Sequence, residues 1–115
     1  MKILMIAMVF LLASGQAMAR DRIVKCKITS ANQTLYKGKC KFMPDGGGSF
    51  TLAHPRRDMD LTRNIMMVSV SVLGGGYAEV RGLTTSGNNS RWGEARRSSR
   101  DRACWKGDQF QICAW

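Results

Sequence analysis

Alternation with a period of two residues is the strongest constraint on how this chain folds. Val24, Cys26 and Ile28 fall on one side of an extended segment, and Lys25 and Lys27 on the other. Tyr36, Gly38, Cys40 and Phe42 oppose Lys37, Lys39 and Lys41 in the same way. Phe50 and Leu52 alternate with Ser49, Thr51 and Ala53. Val68, Val70 and Val72 alternate with Ser69 and Ser71, and Ala78 and Val80 with Glu79 and Arg81. Successive side chains of a strand point to opposite faces, so these runs read as half-buried strands. Turn-forming stretches separate them: Ser30 to Gln33, Pro44 to Gly48, Gly74 to Gly76 and Ser86 to Asn89. Many short strands with Gly-rich turns predict an all-β fold, a small antiparallel barrel or sandwich. Two weaker signals predict a helical turn over Asp60 to Asn64 and a short helix over Glu94 to Arg100.

The N-terminus sets the compartment. Lys2 precedes a continuous apolar run from Ile3 to Ala13, and Ala17-Met18-Ala19 has the small-x-small form that a signal peptidase cleaves. Residues 1–19 therefore read as a signal peptide, and residues 20–115 as a single exported domain. No later stretch is apolar enough to anchor the chain, so no transmembrane segment is expected after cleavage. A domain this small profits from covalent staples. Cys26, Cys40, Cys104 and Cys113 are an even set in an exported protein, which predicts two disulfides. Zinc is the rival reading, but no C-x-x-C pair is present and His54 is the lone histidine. No metal or cofactor is expected, and the periplasm or the cell exterior is the expected location.

Cysteine pairing can be argued from strand geometry, although four cysteines allow three connectivities. A hairpin turning around Asn32 and Gln33, with Cys26 opposite Cys40, points both sulfurs inward beside Val24, Ile28 and Phe42. Lys25 then lies opposite Lys41 and Lys27 opposite Lys39, with Lys37 on the same outer face. This lysine face either recruits an anion or keeps an edge hairpin soluble. In the tail, Ala103, Trp105, Phe110, Ile112 and Ala114 form an apolar face across a hairpin at Gly107-Asp108. Cys104 and Cys113 fall on the other face, close enough in sequence for a staple.

Lys and Arg total 18 against 8 Asp and Glu. Lys2 is the sole charged residue before Arg20, so the exported part keeps 17 basic residues and a net charge of +9. That excess favours anionic partners. Arg91, Arg96, Arg97, Arg100 and Arg102 cannot all be buried without partners. Glu94 and Asp101 are expected to neutralise some, and the remainder form a basic segment able to pair with phosphate or carboxylate. Trp92 and Trp115 are the candidate aromatic contacts. No catalytic constellation is legible. His54 sits in a polar loop, Ser49 and Ser98 lack a nucleophile-elbow context, and Asp58 and Asp60 lack apolar surroundings. The four cysteines are expected to be oxidised.

The stretch with the GGGSF turn (residues 46–50) and the C-terminal pattern RACW-x-G-x-x-F-x-IC (residues 102–113) resemble those of small exported bacterial proteins of unsettled function. That resemblance implies export and a compact fold, and no activity. The chain is also similar, more faintly, to periplasmic lysozyme inhibitors, small β-barrels whose Ser-Gly-x-x-Tyr-type loop enters the enzyme cleft. Its nearest counterpart here is Gly48-Ser49-Phe50, in a different order. The expected function is non-enzymatic binding of an anionic polymer or envelope surface. The alternatives are a protein partner, as an inhibitor of an envelope-attacking hydrolase, or a structural role in the envelope.

Overall fold

A computed structural model describes residues 20–115; the expected signal peptide lies outside the described residues. The described chain is all-β. Its strands are β1 (Arg22–Ser30), β2 (Gln33–Gly46), β3 (Ser49–Ala53), β4 (Ile65–Gly74), β5 (Tyr77–Thr84), β6 (Asn89–Arg97), β7 (Cys104–Lys106) and β8 (Phe110–Ala114). Each pairs antiparallel with the next, and β8 returns to β1, so the sheet closes into an eight-stranded barrel. Closure leaves no terminal edge strand. The inward side chains of the alternating runs fill the interior: Ile28, Leu52, Val68, Val70, Val80 and Ile112 are fully buried. Phe42 stacks on Phe50 with ring centroids 4.8 Å apart.

Both disulfides form, Cys26–Cys40 and Cys104–Cys113. The first lies inside the barrel, its cysteines 1% and 0% exposed. The register that holds it is shifted by two residues from expectation. Val24 is opposite Cys40, Cys26 is opposite Gly38, Lys25 faces Lys39 and Lys27 faces Lys37, while Lys41 faces Ile23. The cause is the turn. Ala31 and Asn32, with φ of 50° and 63°, make the reversal, so Ser30 pairs with Gln33. Positive φ at both central residues is the geometry of a two-residue hairpin turn, and turn position dictates register. A bulge at Leu35 adds one residue before regular pairing begins. Because the total shift is even, the faces are preserved, with sulfurs inside and lysines outside. Gly38, opposite Cys26, presents no side chain, which leaves Cys26 room to reach Cys40 diagonally across a Cα separation of 5.9 Å. The Tyr36 hydroxyl donates to the Lys39 carbonyl, and burial pushes its phenol above the ordinary value.

Neither expected helical segment is helical. The β3–β4 connection is a loop of turns and bends, and residues 94–97 belong to β6. A bulge in β6 disguised the strand. Val80 pairs with Gly93 and Arg81 with Arg91, which makes Trp92 an extra residue and breaks the alternation. Gly93, at φ 123°, accommodates the kink. The bulge swings the Trp92 indole over Gly82 and against Phe110, in an edge contact with centroids 5.9 Å apart. A Cβ on Gly82 would stand 2.8 Å from Trp92 Nε1 and 3.1 Å from Cε2. Gly82→Ala therefore has to displace a half-buried indole. It is expected to cost about 1–3 kcal/mol, as overpacking does. A thermal melt followed by tryptophan fluorescence would register this as a lower Tm and an altered emission spectrum.

Candidate anion-binding cleft

The β6–β7 connection closes the barrel by the shortest ladder in the sheet. Only Arg96↔Lys106 and Arg97↔Trp105 pair across it. Below these pairs the two strands diverge, and Trp92 and Phe110 fill the interior behind the gap. Above them the loop of residues 98–103 folds back on itself. Ser98 N donates to Cys104 O at 2.8 Å, and Cys104 N donates to Asp101 O at 2.9 Å. Ser98 Oγ accepts from Arg100 N and Asp101 N. The result is an open cleft of about 620 Å³ walled by residues 94–100 and 106–108. Its volume lies within the range of small-ligand sites.

Four cations converge there: Arg96, Arg97, Arg100 and Lys106. Two are held in place by aromatic groups. Arg96 lies 4.8 Å from the Tyr77 ring centroid, and its Nη2 donates to the Tyr77 hydroxyl at 2.6 Å. Arg97 lies 4.5 Å from the Trp105 ring centroid, and its Nη1 donates to Arg102 O at 3.3 Å. Such stacking uses the guanidinium face and leaves edge N–H donors for a ligand. Among the described residues, none of the four cations forms an ion pair. Glu94 and Asp108 also line the cleft, leaving it with a net charge of +2.

The remaining candidate residues lie elsewhere. Arg91 is drawn away by an ion pair at 2.9 Å to Glu79, a carboxylate it shares with Arg81, also at 2.9 Å. The expected neutralisers, Glu94 and Asp101, ion-pair with none of the arginines. Asp101 instead accepts from Ala103 N at 3.0 Å and from Trp115 Nε1 at 2.9 Å. Arg102 is exposed and lies outside the cleft. Lys25, Lys27, Lys37, Lys39 and Lys41 share the outer face of β1 and β2, where Lys41 pairs with Asp21 at 3.6 Å. Strands β8 and β7 separate that row from the cleft, a breadth of ~10 Å at the usual strand spacing.

Trp92 is half-buried in the seam, whereas Trp115 is 52% exposed. Trp115 joins the two basic regions. Its backbone N donates to Lys25 O at 2.9 Å while its indole reaches Asp101. The outward-pointing Cys104 and Cys113 are nonetheless 3% and 4% exposed, because the 98–103 loop and the C-terminus fold together around them. Their hairpin turns at Asp108-Gln109, one residue later than expected, with Gly107 N donating to Phe110 O at 2.8 Å. Ser49 is engaged structurally, since its Oγ accepts from Val72 N at 2.8 Å.

No protein family, curated protein or solved structure matches this chain. The two disulfides indicate an oxidising, non-cytoplasmic compartment. Among the described residues no helix is long and apolar enough to cross a membrane.

Proposed function

We propose that this is a non-enzymatic binding protein of the periplasm or cell exterior, whose β6–β7 cleft engages the phosphate, sulfate or carboxylate groups of an anionic polymer or envelope surface. One observation carries the reading: four cations converge on a single cleft without an ion-pair partner, two of them fixed in advance on aromatic rings. Fixed guanidinium groups lose less side-chain freedom when they bind an anion, so more of the pairing energy appears as affinity. The lysine face of β1 and β2 and the exposed Trp115 extend the basic surface and favour a polymer over a small anion.

Retention on an immobilised sulfated or phosphorylated polysaccharide tests this directly. The protein is expected to elute at higher salt than a control of equal size and net charge, and its apparent affinity should fall as salt screens the pairing. Elution together with the control would reduce the interaction to bulk charge and end the proposal.

A further inference from the structure

On the opposite side of the barrel lies a second pocket, of about 390 Å³, at the start of the β3–β4 loop. Met43, Met59, Met66 and Met67, all the methionines among residues 20–115, line it together with His54, the lone histidine. The backbone accounts for the gathering. Met43 and Met67 point outward from β2 and β4, on either side of β3, and Ala53 of β3 pairs with Met67. Ala53 lies opposite Lys41 of β2, one outward position along from Met43, and its small side chain forms a floor on the diagonal between Met43 and Met67. The chain leaves β3 at that point, which places His54 at the rim and brings Met59 back over it. A bulge in β4 adds Met66. Met59 and Met66 are 47% and 38% exposed, so their thioethers are not there to fill the core.

We propose that this pocket binds a soft monovalent cation, Cu(I) in chemical class, through the thioethers of Met43, Met59 and Met67, with Met66 or His54 completing the set. Soft sulfur donors select Cu(I) over hard or borderline divalent ions. All four cysteines are oxidised, so the thioethers are the soft donors left to the chain. They carry no proton to displace and survive where a thiol would be oxidised. The rim carries no net charge to oppose a monovalent ion: Lys41 pairs with Asp21 and Arg56 with Asp58 at 3.4 Å, and the two charges outside these pairs, Arg57 and Asp60, are of opposite sign. Asp60 is then the sole carboxylate left over, too few for a hard divalent ion. His54 enters at a cost. Its Nδ1 accepts from Arg56 N at 3.0 Å, so a nitrogen lone pair becomes available only when that bond or the tautomer changes. The thioethers are therefore the primary ligands. This site is independent of the β6–β7 cleft.

The test is a titration of the disulfide-closed protein with Ag(I), a redox-inert soft cation, in chloride-free buffer, followed through the methionine methyl NMR signals. The methyls of Met43, Met59 and Met67 are expected to move together and saturate at one equivalent. The double variant Met59→Leu/Met67→Leu keeps the apolar volume, so its fold should survive, yet its affinity should fall by at least roughly tenfold, since losing even an outer-shell partner of a metal ligand costs about that much. His54→Gln should weaken binding less, and Zn(II) should leave the methyls unmoved. Unchanged silver affinity in the double variant, methyl shifts that never saturate, or a loss confined to His54→Gln would each overturn the proposal.

Discussion

Replacing Cys26 and Cys40 together with alanine is expected to cost about 3–5 kcal/mol of folding stability, the upper part of the range for removing a native disulfide. Loop entropy does not separate the two disulfides. They close sequence separations of 14 and 9 residues, and the chain-entropy relation puts both near ~3 kcal/mol, within a few tenths of each other. The difference lies in where the sulfurs sit. Cys26–Cys40 is inside the barrel, packed with Val24, Ile28 and Phe42, so its removal also leaves an apolar void. It also ties the hairpin on which β8 closes. Domains of this size hold only about 5–15 kcal/mol in total. In urea, the midpoint should drop by about 2 M at an ordinary denaturant slope for a small domain. A loss below ~1 kcal/mol would mean that the Ala31-Asn32 turn sets the register unaided. Removing Cys104 and Cys113 should cost less globally, because those cysteines, although covered, lie outside the core cluster, but it should loosen the 98–103 loop that walls the cleft.

Strand identity was legible in β1 to β5 because buried side chains there recur every second residue without interruption. Register was not. Its value depends on which two residues turn and on one extra residue at Leu35, and neither alters the inside–outside pattern. That is why the lysine face is readable although its cross-strand partners are not. In β6 the rule failed at one point. The Trp92 bulge places Trp92 and Ala95 inward at a spacing of three, which imitates a helical period and concealed the strand. A short helix over Glu94 to Arg100 contains no Arg96↔Lys106 ladder pair, so that expectation gives Lys106 no place in a cleft. The loss of Arg91 from the site has a local signal that was available. Glu79 and Arg81 stand two apart on one face of a strand, where they offer a ready partner to an arginine across the ladder. The methionine pocket escaped because its members come from three strands and a loop, with no motif spacing to join them.

The cleft and the lysine row make opposing predictions, and matched charge reversals separate them. Arg96→Glu/Arg100→Glu and Lys25→Glu/Lys39→Glu each lower the net charge by four, so any effect of total charge is the same in both. All four side chains are exposed, and neither pair takes part in an ion pair, so both variants should fold with little change in Tm. In the cleft, reversal removes the Arg96 guanidinium fixed on the Tyr77 ring and the exposed one of Arg100, and places carboxylates where the anion would sit. Losing charge-assisted hydrogen bonds at about 1.5–3 kcal/mol each predicts a fall in polyanion affinity of roughly 100-fold or more near physiological salt. The slope of log affinity against log salt should shrink with it, because fewer counterions are released. At the lysine row, the lost groups are mobile ammonium ions about two strand widths from the cleft, largely screened at that distance. Their reversal should cost only several-fold. Binding isotherms at three salt concentrations for both variants would decide the matter. Equal losses would place the recognition in bulk charge, and a larger loss at the lysines would move the site to β1 and β2.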